Sequence, residues 1–249
     1  MAAATSICYP SKMSLSIQNA LKRHNAQSLE ERERPIIVID ILTVKDIIRK
    51  FIASWPSNRR IEVMVFAAVK VCSDEPAIDA FDDLGCNFDC ASKGEAKPLV
   101  DRGVSPARIS LGNCNLSNGD ILWGIKTGIQ YYAVDSATQI DRIVHAATEV
   151  AVPQGVTSAT TLAQLKSFCR LVSSGKGSEK PFSTRFGVDP EQAFALIKKA
   201  HGHGLTFVGL SGHPGTQNLD KNTFIQFSTM FYGVFDHVQT ELGIAPLIS

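Results

Sequence analysis

The chain has 249 residues, 44% of them hydrophobic and 20% charged, which is enough to bury a sizeable core in one or two domains. A net charge of +1 offers no basic footprint for nucleic acid and no stripe for an anionic membrane. No segment reaches the roughly 18 apolar residues of a membrane span, residues 1–16 lack an apolar core of signal-peptide length, and the six scattered cysteines read as free thiols of a reducing compartment, so a cytoplasmic protein is expected.

Residues 1–34 are rich in Ser, Asn, Arg and Glu and read as a polar N-terminal arm, with a short helix near 14–24 and a solvated charge run over Glu30-Glu31-Arg32-Glu33-Arg34. From residue 35 the pattern becomes regular, and 35–249 is expected to form one domain. Short runs rich in Val, Ile, Phe and Tyr predict strands near 35–40, 62–69, 86–90, 107–112, 130–134, 167–172 and 205–211. Several are almost continuously apolar, as strands buried on both faces are.

Amphipathic stretches lie between them. Val44, Ile47, Ile48, Phe51 and Ile52 share one face of a helix over 43–53. Ile140, Ile143, Val144 and Ala147 share a face over 137–149. Phe224, Phe227, Phe231, Phe235, Val238 and Leu242 stripe a helix over 221–242, and this stripe is read as core packing. Ser136 and Asp220 signal helix starts; Gly85, Gly103, Gly128, Gly204 and Gly243 signal stops. Residues 151–165 read as an irregular connection of unusual length. His201 and His203 read as capping or solvated side chains. Cys86 and Cys90 lack a second pair and read as buried thiols, so no metal site is expected.

Strand centres near 66, 88, 110 and 132 recur about every 22 residues, a βα repeat that implies a parallel sheet. A (β/α)8 barrel and an open doubly wound sheet both fit it; no Gly-x-Gly-x-x-Gly turn follows the first strand, which weakens a dinucleotide-binding version. In a barrel, functional residues sit at the C-terminal ends of strands. Lys70, Asp89, Asn113, Asp135, Arg170 and His213 all fall at such ends. Lys70 closes the apolar run that begins at Val63. A lysine so placed is ordinarily solvated, but it can also bond covalently to a carbonyl cofactor. Six polar residues at six successive strand ends read together as the rim of a site.

Phe66-Ala67-Ala68-Val69-Lys70 is followed by Phe88-Asp89-Cys90-Ala91-Ser92-Lys93-Gly94-Glu95, Arg108-Ile109-Ser110-Leu111-Gly112-Asn113, Cys169-Arg170-Leu171 and Arg185-Phe186-Gly187-Val188. Val208-Gly209-Leu210-Ser211-Gly212-His213-Pro214-Gly215-Thr216 ends the series. In this order the motifs resemble the fold-type III pyridoxal-phosphate-dependent decarboxylases of ornithine, lysine, arginine and diaminopimelate, with the ornithine branch nearest. The resemblance covers about residues 35–245. It implies an α/β fold, the pyridoxal-phosphate-binding (β/α)8 TIM barrel of the alanine racemase and ornithine decarboxylase N-terminal domain type. By resemblance, Lys70 matches the catalytic lysine that holds pyridoxal 5'-phosphate covalently, and His213 the catalytic histidine that stacks on its ring. Asp89, Arg170 and Glu95 match polar groups around the cofactor. Thr216 falls where the family usually has a serine on the cofactor phosphate, and it keeps the hydroxyl.

The segment Leu210–Thr216 departs from the family's usual Ser-Phe-His-Val-Gly-Ser: Gly212 removes an aromatic neighbour, and Pro214 removes a backbone donor beside the ring. Ser249 falls where the family runs into its seventh barrel strand. In the family, a glycine-rich phosphate loop, an acidic partner for the pyridine nitrogen and a C-terminal β domain lie beyond that point, and the β domain completes the site across a homodimer interface. The expectation is therefore an incomplete barrel with the C-terminal β domain absent, an unsatisfied edge at 35–40, and little activity of the chain alone. The implied function is decarboxylation of a small basic amino acid, foremost ornithine to putrescine in polyamine synthesis. The alternative is a non-catalytic regulator similar to the antizyme inhibitors, which bind an antizyme-like protein. A single-domain cofactor carrier ranks last.

Overall fold

A computed structural model describes residues 14–28, 31, 37–54, 64–180 and 185–244. The chain forms two compact units, one from Met1–Ser57 with Ser73–Gly85, the other from Asn58–Cys72 with Cys86–Ser249.

The first unit is helical: α1 (Leu15–Asn25), α2 (Ile41–Ala53) and α3 (Glu75–Asp83). Ser14 caps α1 by accepting from the Ile17 N–H. Asp40 caps α2 by accepting from Leu42 and Thr43. Hydrogen bonds from Ser14, Ser16 and Thr43 hold the Asp40 carboxyl well below the usual carboxylate range. α2 packs on α3, with Lys45 Nζ 2.6 Å from Asp83 Oδ2.

The strand expected over 35–40 is not found: residues 37–40 carry no strand, and Pro35 and Ile36 lie outside the described residues. The physical reason is Asp40, whose side chain takes the free amides of a helix that begins at the next residue. The sheet edge expected there is therefore not formed by those residues. Of the predicted α2 face only Ile48 is buried, while Ile47 and Phe51 are exposed. Apart from Glu31, the expected charge run lies outside the described residues.

The second unit carries six parallel strands, hydrogen-bonded in chain order: β1 (Phe66–Ala68), β2 (Asn87–Cys90), β3 (Ile109–Leu111), β4 (Tyr131–Val134), β5 (Lys166–Arg170) and β6 (Thr206–Ser211). Its helices are α4 (Lys93–Asp101), α5 (Asn118–Thr127), α6 (Ala137–Gln154), α7 (Ser158–Ala163), α8 (Pro190–Gly202) and α9 (Lys221–Leu242). Phe88, Ile109, Leu111 and Tyr132 from the strands and Ile140 and Ile143 from α6 are fully buried. The register pairs Ala68 with Asp89, Asp89 with Ser110, and Ser110 with Tyr131, so positions 21 apart lie in one row across four strands.

Ser136 and Asp220 cap α6 and α9 as predicted. The stretch 151–165 is not irregular. α6 continues through Pro153 to Gln154, Gly155 closes it with φ +66°, and Thr157 caps α7 by accepting from Thr160. Of the α9 stripe, Phe235 and Val238 are buried, whereas Phe224 is exposed. Cys86, Cys90, Cys114 and Cys169 are buried free thiols, and burial pushes Cys90 and Cys169 up to about 12. Among the described residues no cluster is arranged to hold a metal ion, and no helix is long and apolar enough to cross a membrane.

Candidate active site

A parallel sheet aims every strand's C-terminal end at one rim, and this brings together residues far apart in sequence. Lys70 sits in the 3₁₀ turn Val69–Val71 that ends β1. Asp89 is the penultimate residue of β2, and Arg170 the last of β5. Asn113 lies just past β3 and His213 just past β6. With Ala91, Gly112 and Phe186, these residues line one cavity of about 220 Å³.

Asp89 is the carboxylate in this lining. Burial raises its carboxyl above the usual value, and this outweighs the opposing pull of the Ser110 hydrogen bond, Lys70 and Arg170. Ser110 Oγ donates to Asp89 Oδ1 at 2.6 Å. A Cβ on Gly112 would overlap that oxygen and lie 2.8 Å from Asp89 Cγ, so the carboxyl needs glycine at 112.

His213 Nδ1 accepts from the Gly215 N–H at 3.0 Å, which puts the ring proton on Nε2. Partial burial, Arg170 and Lys70 depress this imidazole below its usual value, in that order. The Arg170 guanidinium lies over the Phe186 ring, 5.1 Å from its centroid. Phe186 is set there by a strip beside β5. Val188 N–H donates to Arg170 O, Val172 N–H donates to Val188 O, and Gly187 N–H donates to Asp135 Oδ2 at 3.0 Å.

Three predicted rim or site residues lie outside the lining. Glu95, in the first turn of α4, accepts from the Ala91 N–H at 2.8 Å and braces the cavity wall. Asp135 braces Gly187. Thr216 is tied through its backbone to Glu179 and Lys180. The departure at Gly212 also finds its partner: the Phe227 ring of α9 stands where a side chain at 212 would be, with Cε2 2.9 Å from a Cβ built there.

Ser110, Gly112 and Phe186 carry site geometry that sequence reasoning did not assign. The available signal was the 21-residue row, which places Ser110 beside Asp89.

Residues 44–247 match the family model described as pyridoxal-dependent decarboxylase, pyridoxal binding domain. The chain belongs to this family. It is 27% identical to the chloroplastic ornithine decarboxylase of Nicotiana glutinosa over 89% of this chain and 46% of that protein. It is 26% identical to the ornithine decarboxylase of Saccharomyces cerevisiae over 86% of this chain and 42% of that protein. The chain thus spans somewhat less than half the length of these curated relatives. Among solved structures, the arginine decarboxylase of Paramecium bursaria Chlorella virus superposes with TM-score 0.75 at 22% identity, over 92% of this chain and 55% of that one. The lysine/ornithine decarboxylase of Vibrio vulnificus, complexed with putrescine, gives TM-score 0.73 at 20% identity over 96% and 56%.

These likenesses identify the fold: the six parallel strands are part of the pyridoxal-binding barrel, open between β1 and β6 among the described residues. Pyridoxal phosphate is the cofactor of this family of domains. The cavity's chemistry fits that group. Lys70 offers an amine for its aldehyde, His213 a planar face for its ring, and Arg170 a guanidinium for its anionic oxygens.

Proposed function

We propose that Lys70, Asp89, Arg170 and His213 hold pyridoxal phosphate, and that the protein decarboxylates a basic amino acid, ornithine first, on the route to polyamines. The observation that carries this reading is the convergence of these four residues, from four different strand ends, on one cavity. The ornithine decarboxylases among the relatives support the substrate.

Bound there, pyridoxal phosphate supplies an electron sink for the pair left behind when carbon dioxide departs. Lys70 would hold the cofactor covalently through its side-chain amine, and would give that place to the substrate α-amine and retake it as the amine product leaves. His213, neutral at physiological pH with its proton on Nε2, presents a flat uncharged face to the ring. Asp89 balances the charges of Lys70 and Arg170. Phe186 keeps the guanidinium in its plane.

One observation favours the non-catalytic regulator. Thr216, which the resemblance assigns to the cofactor phosphate, is held by Glu179 and Lys180 and does not line the cavity. The chain is therefore to be purified with pyridoxal phosphate, its absorbance recorded, and amine formation measured from ornithine, lysine, arginine and diaminopimelate. Putrescine from ornithine, abolished by Lys70→Ala, supports the enzyme. Cofactor absorbance lost in Lys70→Ala, with none of the four substrates turned over, supports cofactor binding and refutes decarboxylation of these substrates. No cofactor absorbance at all refutes the cofactor reading of the cavity and favours the regulator.

A further inference from the structure

We propose that Ser110 and Gly112, two residues of the β3 end with no assigned role, are positioning residues for Asp89. The Ser110 hydroxyl fixes the Asp89 carboxyl and opposes its protonation, and Gly112 makes the space in which that carboxyl sits. The inference rests on the reading of the cavity as the cofactor site.

Two independent geometries converge on the same oxygen. Ser110 Oγ lies 2.6 Å from Asp89 Oδ1, the length of a hydrogen bond to a charged acceptor. Ser110 is only 4% exposed, so water does not compete for this bond. The other geometry is steric. Any side chain at 112 would displace Oδ1, because even a methyl would stand 2.8 Å from Cγ and 2.9 Å from Oδ2. Register explains how the two act together: Asp89 pairs with Ser110, and the Gly112 N–H is bonded to Cys90 O, so the β3 end runs directly alongside the carboxylate.

The charged and titratable groups around Asp89 are Lys70 from the β1 end, Glu95 from α4, Arg170 from β5, His213 from the β6 end and Cys90 next to it on β2. Lys70 and Arg170 favour the carboxylate, while burial and Glu95 oppose it. The Ser110 hydroxyl adds to the pull toward the anion and offsets part of the burial cost, which still leaves the carboxyl raised.

Ser110 also forms part of a second, apolar cavity of about 170 Å³, with Phe66, Tyr131 and Phe168. That space has room for one methyl group. Ser110→Thr therefore keeps the hydroxyl and serves as the conservative control.

The test is the titration of the Asp89 side-chain carboxyl by carbon-13 NMR, in the wild type and in Ser110→Ala, Ser110→Thr and Gly112→Ala, with cofactor uptake followed over the same pH range. Ser110→Ala and Gly112→Ala are expected to bind the Asp89 proton about tenfold more tightly. Ser110→Thr is expected to titrate as the wild type does, and cofactor uptake is expected to shift with the carboxyl. An Asp89 titration unchanged in both Ser110→Ala and Gly112→Ala overturns the proposal. If the titration moves but the wild type takes up no cofactor, the positioning role stands and the cofactor reading of the cavity falls.

Discussion

Replacing Gly187 by alanine probes the wall that carries Phe186. Gly187 has φ +91°, and a Cβ built on it lies 2.6 Å from Leu171 C and 2.7 Å from both Leu171 O and Val172 N. Carbon atoms in good contact stand about 3.5–4.0 Å apart. The obstructing atoms are backbone, fixed by the bonds from Val172 N to Val188 O and from Val188 N to Arg170 O, so no side chain can rotate out of the way. A left-handed conformation costs a non-glycine residue about 1–2 kcal/mol, and overpacking adds about 1–3 kcal/mol. The expected loss is about 2–5 kcal/mol. At a urea slope of about 2 kcal/mol per molar, the unfolding midpoint falls by about 1–2.5 M. Gly103→Ala is the control: its φ is +87°, and a Cβ there meets nothing within 4 Å. It should lose only the conformational part. Equal losses in the two variants would refute the steric reasoning. In Gly187→Ala the bond to Asp135 and the seat of Phe186 over Arg170 should also be lost, so cofactor uptake falls beyond what the stability change explains.

The remaining predictions concern the carboxyl and the β6 end. Burial raises the Asp89 carboxyl above its unfolded value, so the stability it contributes is present below the unfolded value and is lost as pH rises through the folded one. Asp89→Asn, which keeps an acceptor for Ser110, should therefore melt higher than the wild type near pH 8 and no higher near pH 3; a lower melting temperature at pH 8 would contradict the assigned burial cost. Gly212→Ala should cost about 1–3 kcal/mol through overlap with the Phe227 ring. Phe227→Ala should remove that penalty in the double variant, giving a coupling that strictly additive losses would disprove.

The rim of the site was legible because strand ends in a parallel repeat are marked twice, by an apolar run and by the polar residue that closes it. Lys70, Asp89, Arg170 and His213 all carry that double mark. Ser110 does not: a serine inside a strand is unremarkable until register sets it beside Asp89. Gly112 becomes meaningful only once the direction of that carboxyl is known. The run at 35–40 misled because an apolar segment ending in Asp serves a helix cap as well as a strand, and the cap at Asp40 decides it. The stretch 151–165 reads as irregular, but Pro153 lies in the last turn of α6, where the helix absorbs it and Gly155 closes it. Phe227 was legible as an apolar helix position, but its fit against Gly212 depends on a tertiary contact that no spacing reveals.

The assignment of the cavity rests on Lys70 being the residue that captures the cofactor. Incubating the chain with one equivalent of pyridoxal phosphate, fixing the carbon–nitrogen bond with borohydride and mapping the modified peptide by mass spectrometry tests this. The expected result is one label per chain on Lys70, lost in Lys70→Ala and displaced by no other lysine. Labelling spread over surface lysines, and undiminished in Lys70→Ala, would contradict it.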